Sequence, residues 1–356
     1  MAIDRWFIGG GAEHTPESAR RLVYASTSGA EGVGGVNDLR VLPLSVPGTG
    51  VRVTIGSALI KSNYVGGETQ TYMGTVYQQE TASVTPTGST SKRSDLVVMR
   101  VEDPFAAGSP YNPPAEADIP NAPYIHIRVI SGVPANTKRL QDVAGYKNDT
   151  AVTLARIDFP VNTGTVTAGM ITDLRKVAQP QRTEVVYARP RIAADETAGQ
   201  QFLKGKKSGG GEYFPGGAGS PNQFQVEVPA WATRMVIDAS WMTVQMRGNP
   251  WGSYWVEYGD EWRDYTWPNK QQYEFATQEF GFHAPATSDV KSTNFLLMDE
   301  VPVPAKLRGK TITFVFKGAR RDESQINNTH QVWMEWDSGL GMRITFAERA
   351  IDSDLL

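Results

Sequence analysis

The chain has 356 residues and a mass of 39.0 kDa, a length that predicts two or three domains with more than one hydrophobic core. Its 35 glycines and 22 prolines favour many short strands joined by turns and disfavour an all-helical bundle. The formal charge is -3 without a basic cluster, and cysteine is absent, which argues against a nucleic-acid partner and excludes disulfides, cysteine-ligated metals and cysteine nucleophiles.

The N-terminal residues do not resemble an export signal. Asp4 and Arg5 come before any apolar run, so the basic start and long apolar stretch of a secretory signal are missing. No apolar run approaches the ~18–20 residues that a membrane span needs. We therefore expect synthesis in the cytoplasm and no membrane insertion.

The first predicted element is a helix from Pro16 to about Ser28. Thr15 suits the N-cap, proline suits the first helical position, and Glu17 complements the positive end of the helix. Gly29 is a natural stop. Because the apolar stripe is narrow, the helix must dock on something else, either the sheet of its own domain or a neighbouring subunit.

From residue 40 the apolar residues alternate with polar ones, which is typical of strands. Val51, Val53 and Ile55 are predicted to share one face, and a Pro-rich loop lies between residues 104 and 123. Further strands are predicted at Tyr72–Tyr77, Leu96–Val101, Tyr124–Ile130 and Ala151–Ile157. Residues 1–182 are therefore expected to form a β-rich domain with one short helix.

Composition changes after Asp173-Leu-Arg175. The polar, Gly- and Pro-rich stretch 183–222 is predicted to be a linker or mobile loop, because it cannot bury enough apolar surface. Alternation returns at Phe224 and recurs as far as Phe346. Residues 223–356 are thus expected to form an antiparallel β-sandwich, jelly-roll-like in topology.

We find no motif that predicts catalysis, a metal or a cofactor. The four histidines stand outside any nucleophile signature, and His126 is interpreted as a surface imidazole on a strand. The glycine-rich segment 204–211 lacks the phosphate-loop order. Asp260, Glu261 and Asp264 match no calcium loop, so a solvated turn is the favoured interpretation.

Aromatic residues are concentrated between positions 251 and 267. Rings beside carboxylates and amides are suited to stacking on sugars, although a sandwich core or a subunit interface, both rich in aromatics, is the favoured interpretation. The candidate carbohydrate-binding residues are Trp251, Tyr254, Trp255, Tyr258, Trp262, Arg263 and Trp267.

Four motifs in the first half are similar to those of a known protein family. They are Arg93-Ser-Asp-Leu-Val-Val-Met-Arg-Val101, Val129-Ile-Ser-Gly-Val-Pro134, Leu154-Ala-Arg-Ile-Asp158 and Gly169-Met-Ile-Thr-Asp-Leu-Arg175. In order and spacing, residues 36–176 resemble minor tail proteins of long-tailed actinobacterial phages. The second half is similar in style to sandwich domains of phage tail fibres and baseplates.

The resemblance implies a virion protein without catalytic residues. Its first domain would anchor to the tail tip, and its second would project for assembly or for recognition of a host-surface saccharide. Its partners would be other tail proteins and further copies of itself in a closed oligomer, a trimer, with the helix from Pro16 as the candidate contact. The alternatives are a tail-borne enzyme that hydrolyses envelope glycan and a cellular carbohydrate-binding module.

Overall fold

The computed structural model describes residues 14–111, 123–192, 199–206, 210–216, 222–259, 273–283, 288–321 and 329–349. Across these residues the protein is mainly β, with antiparallel sheets and one α-helix, which confirms the predicted fold class. The chain divides between Pro180 and Gln181 into two compact units. We call them the N-terminal unit and the C-terminal unit, the latter spanning Gln181–Glu348.

The helix α1 spans Pro16–Thr27, which confirms the prediction. Thr15 is the N-cap, and its hydroxyl accepts a hydrogen bond from the backbone N–H of Ser18. At the other end Ser28 adopts a left-handed conformation with φ of 51°, and its backbone N–H donates a hydrogen bond to a carbonyl of the last helical turn.

The helix docks on its own unit. Arg20 donates from Nε to Oε1 of Gln70 over 2.6 Å, and its guanidinium carbon lies 4.8 Å from the centre of the Tyr72 ring. Ser18 is the one buried residue of the helix, while Leu22 is 44% exposed. Of the two docking options, the structure thus shows the sheet of the same unit; a subunit contact through the helix stays a prediction.

The N-terminal unit contains ten strands among its described residues. They are β1 Gly32–Val33, β2 Val41–Pro43, β3 Gly50–Val53, β4 Gly56–Lys61, β5 Thr71–Val76, β6 Glu80–Ser83, β7 Arg93–Val101, β8 Ile125–Val133, β9 Ala151–Phe159 and β10 Ile171–Asp173. Three antiparallel sheets result, with the orders β1-β4-β5, β2-β3-β6 and β10-β9-β7-β8. Their inner faces enclose a core that is mostly aliphatic, with residues such as Val97, Leu154 and Ile157.

One predicted face in this unit is wrong. Val51 and Val53 are buried as expected, but Ile55 is 60% exposed. The strand ends at Val53 because Gly56, with φ of 146°, turns the chain into β4, and a Cβ at this position would collide with Asp38.

The C-terminal unit has twelve strands among its described residues. They are β11 Arg182–Arg189, β12 Gln201–Phe202, β13 Glu212–Tyr213, β14 Gln223–Glu227, β15 Arg234–Arg247, β16 Trp251–Gly259, β17 Tyr273–Glu274, β18 Gln278–Gly281, β19 Val290–Pro302, β20 Thr311–Arg320, β21 Gln331–Met334 and β22 Gly339–Ala347. Several short strands are consecutive pieces of one path, since β11 and β12 pair with β22 and β21, and β13 and β14 both pair with β20.

Counting each path once, the unit has eight strand positions in chain order: β11/β12, β13/β14, β15, β16, β17/β18, β19, β20 and β21/β22. The first sheet places the first, eighth, third and sixth positions side by side, and the second sheet places the second, seventh, fourth and fifth. This order is that of an eight-stranded jelly roll.

The predicted linker over 183–222 is corrected by this topology. Most of β11 lies within it and forms an edge of the first sheet, with Val185 opposite Ile344 and Tyr187 opposite Met342. The strands β12 and β13 lie there too. The composition of the whole stretch 183–222 does not reveal β11, because only Val185 and Tyr187 among the eight residues of this strand point toward the core.

Candidate interaction surface

Of the four predicted saccharide-binding aromatics that the structure describes, three are buried. Tyr254, Trp255 and Tyr258 are 8%, 2% and 3% exposed, so their rings offer no face to a sugar, and the packing interpretation applies to them. Tyr254 and Tyr258 point into the sandwich, where Tyr254 stacks on Phe295 at 4.6 Å between ring centres. Trp251 is 47% exposed. The remaining predicted residues, Trp262, Arg263 and Trp267, lie outside the described residues, as do Asp260, Glu261 and Asp264.

Trp255 belongs to a buried polar group on the second sheet. Its Nε1 donates to Oε1 of Glu257 over 2.6 Å, and its register partner is Lys317. The side chains of Trp255, Glu257 and Lys317 therefore share a face of the sheet. Glu257 is 2% exposed, and its Oε2 has no hydrogen-bond partner among the described residues.

Burial shifts the ionisation of this pair. Loss of water raises the pKa of Glu257 to about 7, although Lys317 and the Trp255 indole lower it, and Glu274 raises it further. Burial likewise lowers the pKa of Lys317 to about 8, against the opposing fields of Glu257 and Glu212. The Tyr213 ring lies 5.1 Å from Lys317 Nζ. This arrangement can respond to pH.

Charged residues of three of the four sequence motifs form ion pairs, and arginines of these pairs also donate to loop carbonyls. The Arg93 guanidinium donates two hydrogen bonds to the Asp95 carboxylate, over 2.7 and 2.9 Å. It also donates to the carbonyl oxygens of Thr85 and Pro86. Asp95 is fully buried and also accepts from the N–H of Gly132 over 2.9 Å.

Two further Arg–Asp pairs repeat this spacing of two residues. Arg175 donates two hydrogen bonds to the Asp173 carboxylate, and it donates to the carbonyls of Val36 and Asp38 over 2.9 and 2.6 Å. Arg156 likewise donates two hydrogen bonds to the Asp158 carboxylate. These arginine and aspartate residues of the motifs therefore contribute ion pairs and hydrogen bonds that stabilise the N-terminal unit.

A cleft of about 490 Å³ in the N-terminal unit has charged walls. Burial raises the pKa of Glu31, which lies 4.0 Å from Arg139. Lys138, Lys176 and Asp142 also line the cleft. Since both signs are present, the charge of the cleft favours neither a simple anion nor a simple cation.

The outer face of the first sheet of the jelly roll is exposed and partly apolar. On β19 alternate residues point outward, and among these Leu296 is 61% and Met298 72% exposed. Val186 on β11, at the opposite edge, is 62% exposed. We call this surface, formed by the outward residues of β19, β15, β22 and β11, the outer sheet face.

The register aligns the outward residues of this face in rows across the four strands. One row runs Met298, Asp238, Arg343 and Val186, and the next runs Leu296, Ser240, Gly341 and Ala188. A sequence signal for this face existed. Phe295-Leu-Leu-Met298 is a continuous apolar run, which is typical of a strand covered on both sides.

The described residues include no group of three or more potential metal ligands, and no helix among them is both long and apolar enough to span a bilayer. His126, predicted as a surface residue, is partly buried, with its Nε2 3.7 Å from Glu102.

No protein-family model and no curated protein matches the chain. Solved structures with some likeness include the T13 particle of infectious bursal disease virus, at 9% identity over 91% of this chain and 74% of that chain, with a TM-score of 0.25. The VP2 subviral particle of the same virus is 9% identical over 91% of this chain and 73% of that chain, with a TM-score of 0.24. The insecticidal delta-endotoxin Cry8Ea1 of Bacillus thuringiensis is 12% identical over 91% of this chain and 51% of that chain, with a TM-score of 0.22. TM-scores this low do not establish a shared fold.

Proposed function

We propose that the protein is a non-catalytic structural component of a phage tail, with the N-terminal unit as its tail attachment and the jelly roll as its assembly and host-facing part. The observation that carries this proposal is the use of the motif residues. Arg93, Asp95, Arg156, Asp158 and Arg175 resemble those of tail proteins, and in this chain they pair with each other and with loop carbonyls. These contacts support an architectural role for the motif residues.

The C-terminal unit supports the same role. Jelly rolls occur in viral coat proteins as well as in lectins and cupins, and an exposed apolar surface is typical of a contact site. Recognition of a host-surface glycan is a finer part of the proposal, with Trp251 as the exposed ring among the described members of the aromatic set.

The test is the composition of purified phage particles. A 39.0 kDa band identified as this chain by mass spectrometry is expected in particles from the phage that encodes it. Deletion of its gene should leave particles with incomplete tails. Absence of the chain from complete particles would overturn the proposal.

The rival hypothesis is a tail-borne glycan hydrolase. Under our proposal the purified protein releases no reducing sugar from host cell-wall glycan. Release that persists through purification to homogeneity would contradict the non-catalytic role.

A further inference from the structure

The outer sheet face has a ridge and a trough. Leu296 and Met298 rise from β19 and form the ridge. Two strands away, Gly341 has no side chain, and its neighbour Ser240 has a short one, which together form the trough. A Cβ added at Gly341 would contact only Ser240 and Met242 of the adjacent strand, so the space above this position is open.

An apolar ridge exposed to water is unfavourable for an isolated molecule, and the small residues of the trough leave room for an apolar side chain. The ridge lies on β19, and the trough lies beside it on β15 and β22, in the same row as Leu296. A second copy can therefore place its ridge in the trough of the first copy.

The charges of the face also fit a second copy. Asp238 and Arg343 occupy neighbouring places in one row, and Glu184 forms an ion pair with Arg343 over 3.3 Å. A partner surface of one sign would meet a like charge on this face. A surface carrying the same mixture can place each charge opposite its complement.

We propose that the outer sheet face binds the outer sheet face of another copy of this chain, with the Leu296–Met298 ridge of one copy in the Ser240–Gly341 trough of the next. This inference specifies the partner within the assembly role proposed above. Because both copies use the same face, the contact is isologous: it pairs two copies about a twofold axis, and the predicted trimer would require a further contact.

The first test is light scattering on the full chain at micromolar concentration. We expect the wild type to have the mass of an oligomer and the variant Leu296→Asp/Met298→Asp to have that of a monomer, 39.0 kDa. The matched control is Ile55→Asp/Val65→Asp, since these residues of the N-terminal unit are 60% and 77% exposed. The control variant should stay oligomeric. A monomeric wild type, or an oligomeric ridge variant, would overturn the proposal.

A second test introduces no charge into the sheet and uses the absence of cysteine in the chain. Met298→Cys/Arg343→Cys places two thiols on strands separated by two spacings, about 10 Å, beyond the roughly 7 Å reach of a disulfide within one copy. Mild oxidation should therefore produce disulfide-linked multimers on a non-reducing gel. An exclusively monomeric band would refute the contact.

The two proposals fail separately. Absence of the chain from phage particles would refute the tail role and leave the measured mass unchanged. A monomeric wild type, or a ridge variant that still self-associates, would refute the present inference, whatever the particle contains.

Discussion

Two buried carboxyl groups, one in each unit of this protein, have opposite surroundings. In the N-terminal unit Asp95 is fully buried, yet Arg93 and the N–H of Gly132 satisfy it with hydrogen bonds. In the C-terminal unit Glu257 is almost as buried, but one of its oxygens has no hydrogen-bond partner among the described residues, and its pKa rises to about 7. A buried carboxylate with a full set of partners holds loops together, whereas one with too few partners becomes sensitive to pH.

The hydrophobic cores of the two units also differ in composition. The N-terminal core is dominated by valine, isoleucine and leucine, with polar pairs at its edges. The C-terminal core is built around aromatic rings, among them Trp241, whose Nε1 donates to the carbonyl of Phe214 over 3.0 Å and whose ring meets Phe316 edge-on at 4.9 Å. Removal of a ring should thus affect the second unit most, and removal of a charge the first.

The largest expected effect is that of Trp255→Ala. It deletes a ring that is 2% exposed and removes the donor to Glu257, so the C-terminal unit should lose about 3–5 kcal/mol of unfolding free energy. Urea denaturation followed by circular dichroism measures this loss. The control Trp251→Ala, at a ring 47% exposed, should cost about 0.5 kcal/mol. Equal losses for both variants would contradict the assigned burial.

The next effect concerns the charge pair of the N-terminal unit. Asp95→Asn keeps the shape but leaves Arg93 without its counter-charge, and we expect a loss of about 3 kcal/mol in the unfolding of that unit. The control Glu31→Gln removes a carboxylate 4.0 Å from the exposed Arg139, and it should change stability by less than about 0.5 kcal/mol. Thermal melts of both variants decide the point, and an unchanged melt for Asp95→Asn would refute the clamping role.

A smaller effect follows from the raised pKa of Glu257, which is about 7 in the folded chain against an ordinary 4.5. The folded state then binds this proton more tightly, so unfolding free energy should fall, on the order of 2 kcal/mol, as pH rises from about 5 to 7. Lys317, with its pKa lowered to about 8, has the opposite dependence, and stability should recover between about pH 8 and 10.

The variant Glu257→Gln sharpens this test. It keeps an acceptor for the Trp255 indole and cannot titrate, so its urea midpoint should stay constant where that of the wild type declines. Parallel curves for the two proteins between about pH 5 and 7 would show that Glu257 is not the group responsible.

The smallest effect is local to α1. Thr15→Ala removes the acceptor for the N–H of Ser18 and should cost about 1 kcal/mol, seen as faster hydrogen exchange in the first turn. Ser26→Ala on the same helix is the control. Because the Ser26 hydroxyl only donates to the carbonyl of Val23 at the surface, its removal should leave exchange unchanged. Equal acceleration by both variants would argue against the cap.

Local chemistry in the sequence determined several parts of this protein. The cap at Thr15 and the proline at position 16 define where α1 starts, since both act through backbone groups within one turn. Alternation of apolar residues predicted β8, and recurrent alternation from Phe224 predicted the sandwich. The absence of cysteine excluded disulfides outright.

Only the tertiary structure decided which aromatic residues are buried and which apolar residues are exposed. Tyr254 and Trp255 point to opposite faces of one strand, yet both are buried, because the second face of that sheet is covered as well. Leu296 and Leu297 are also neighbours, and one is exposed while the other is buried. Periodicity assigns residues to faces, but burial depends on what lies above each face, which is set by strands distant in sequence.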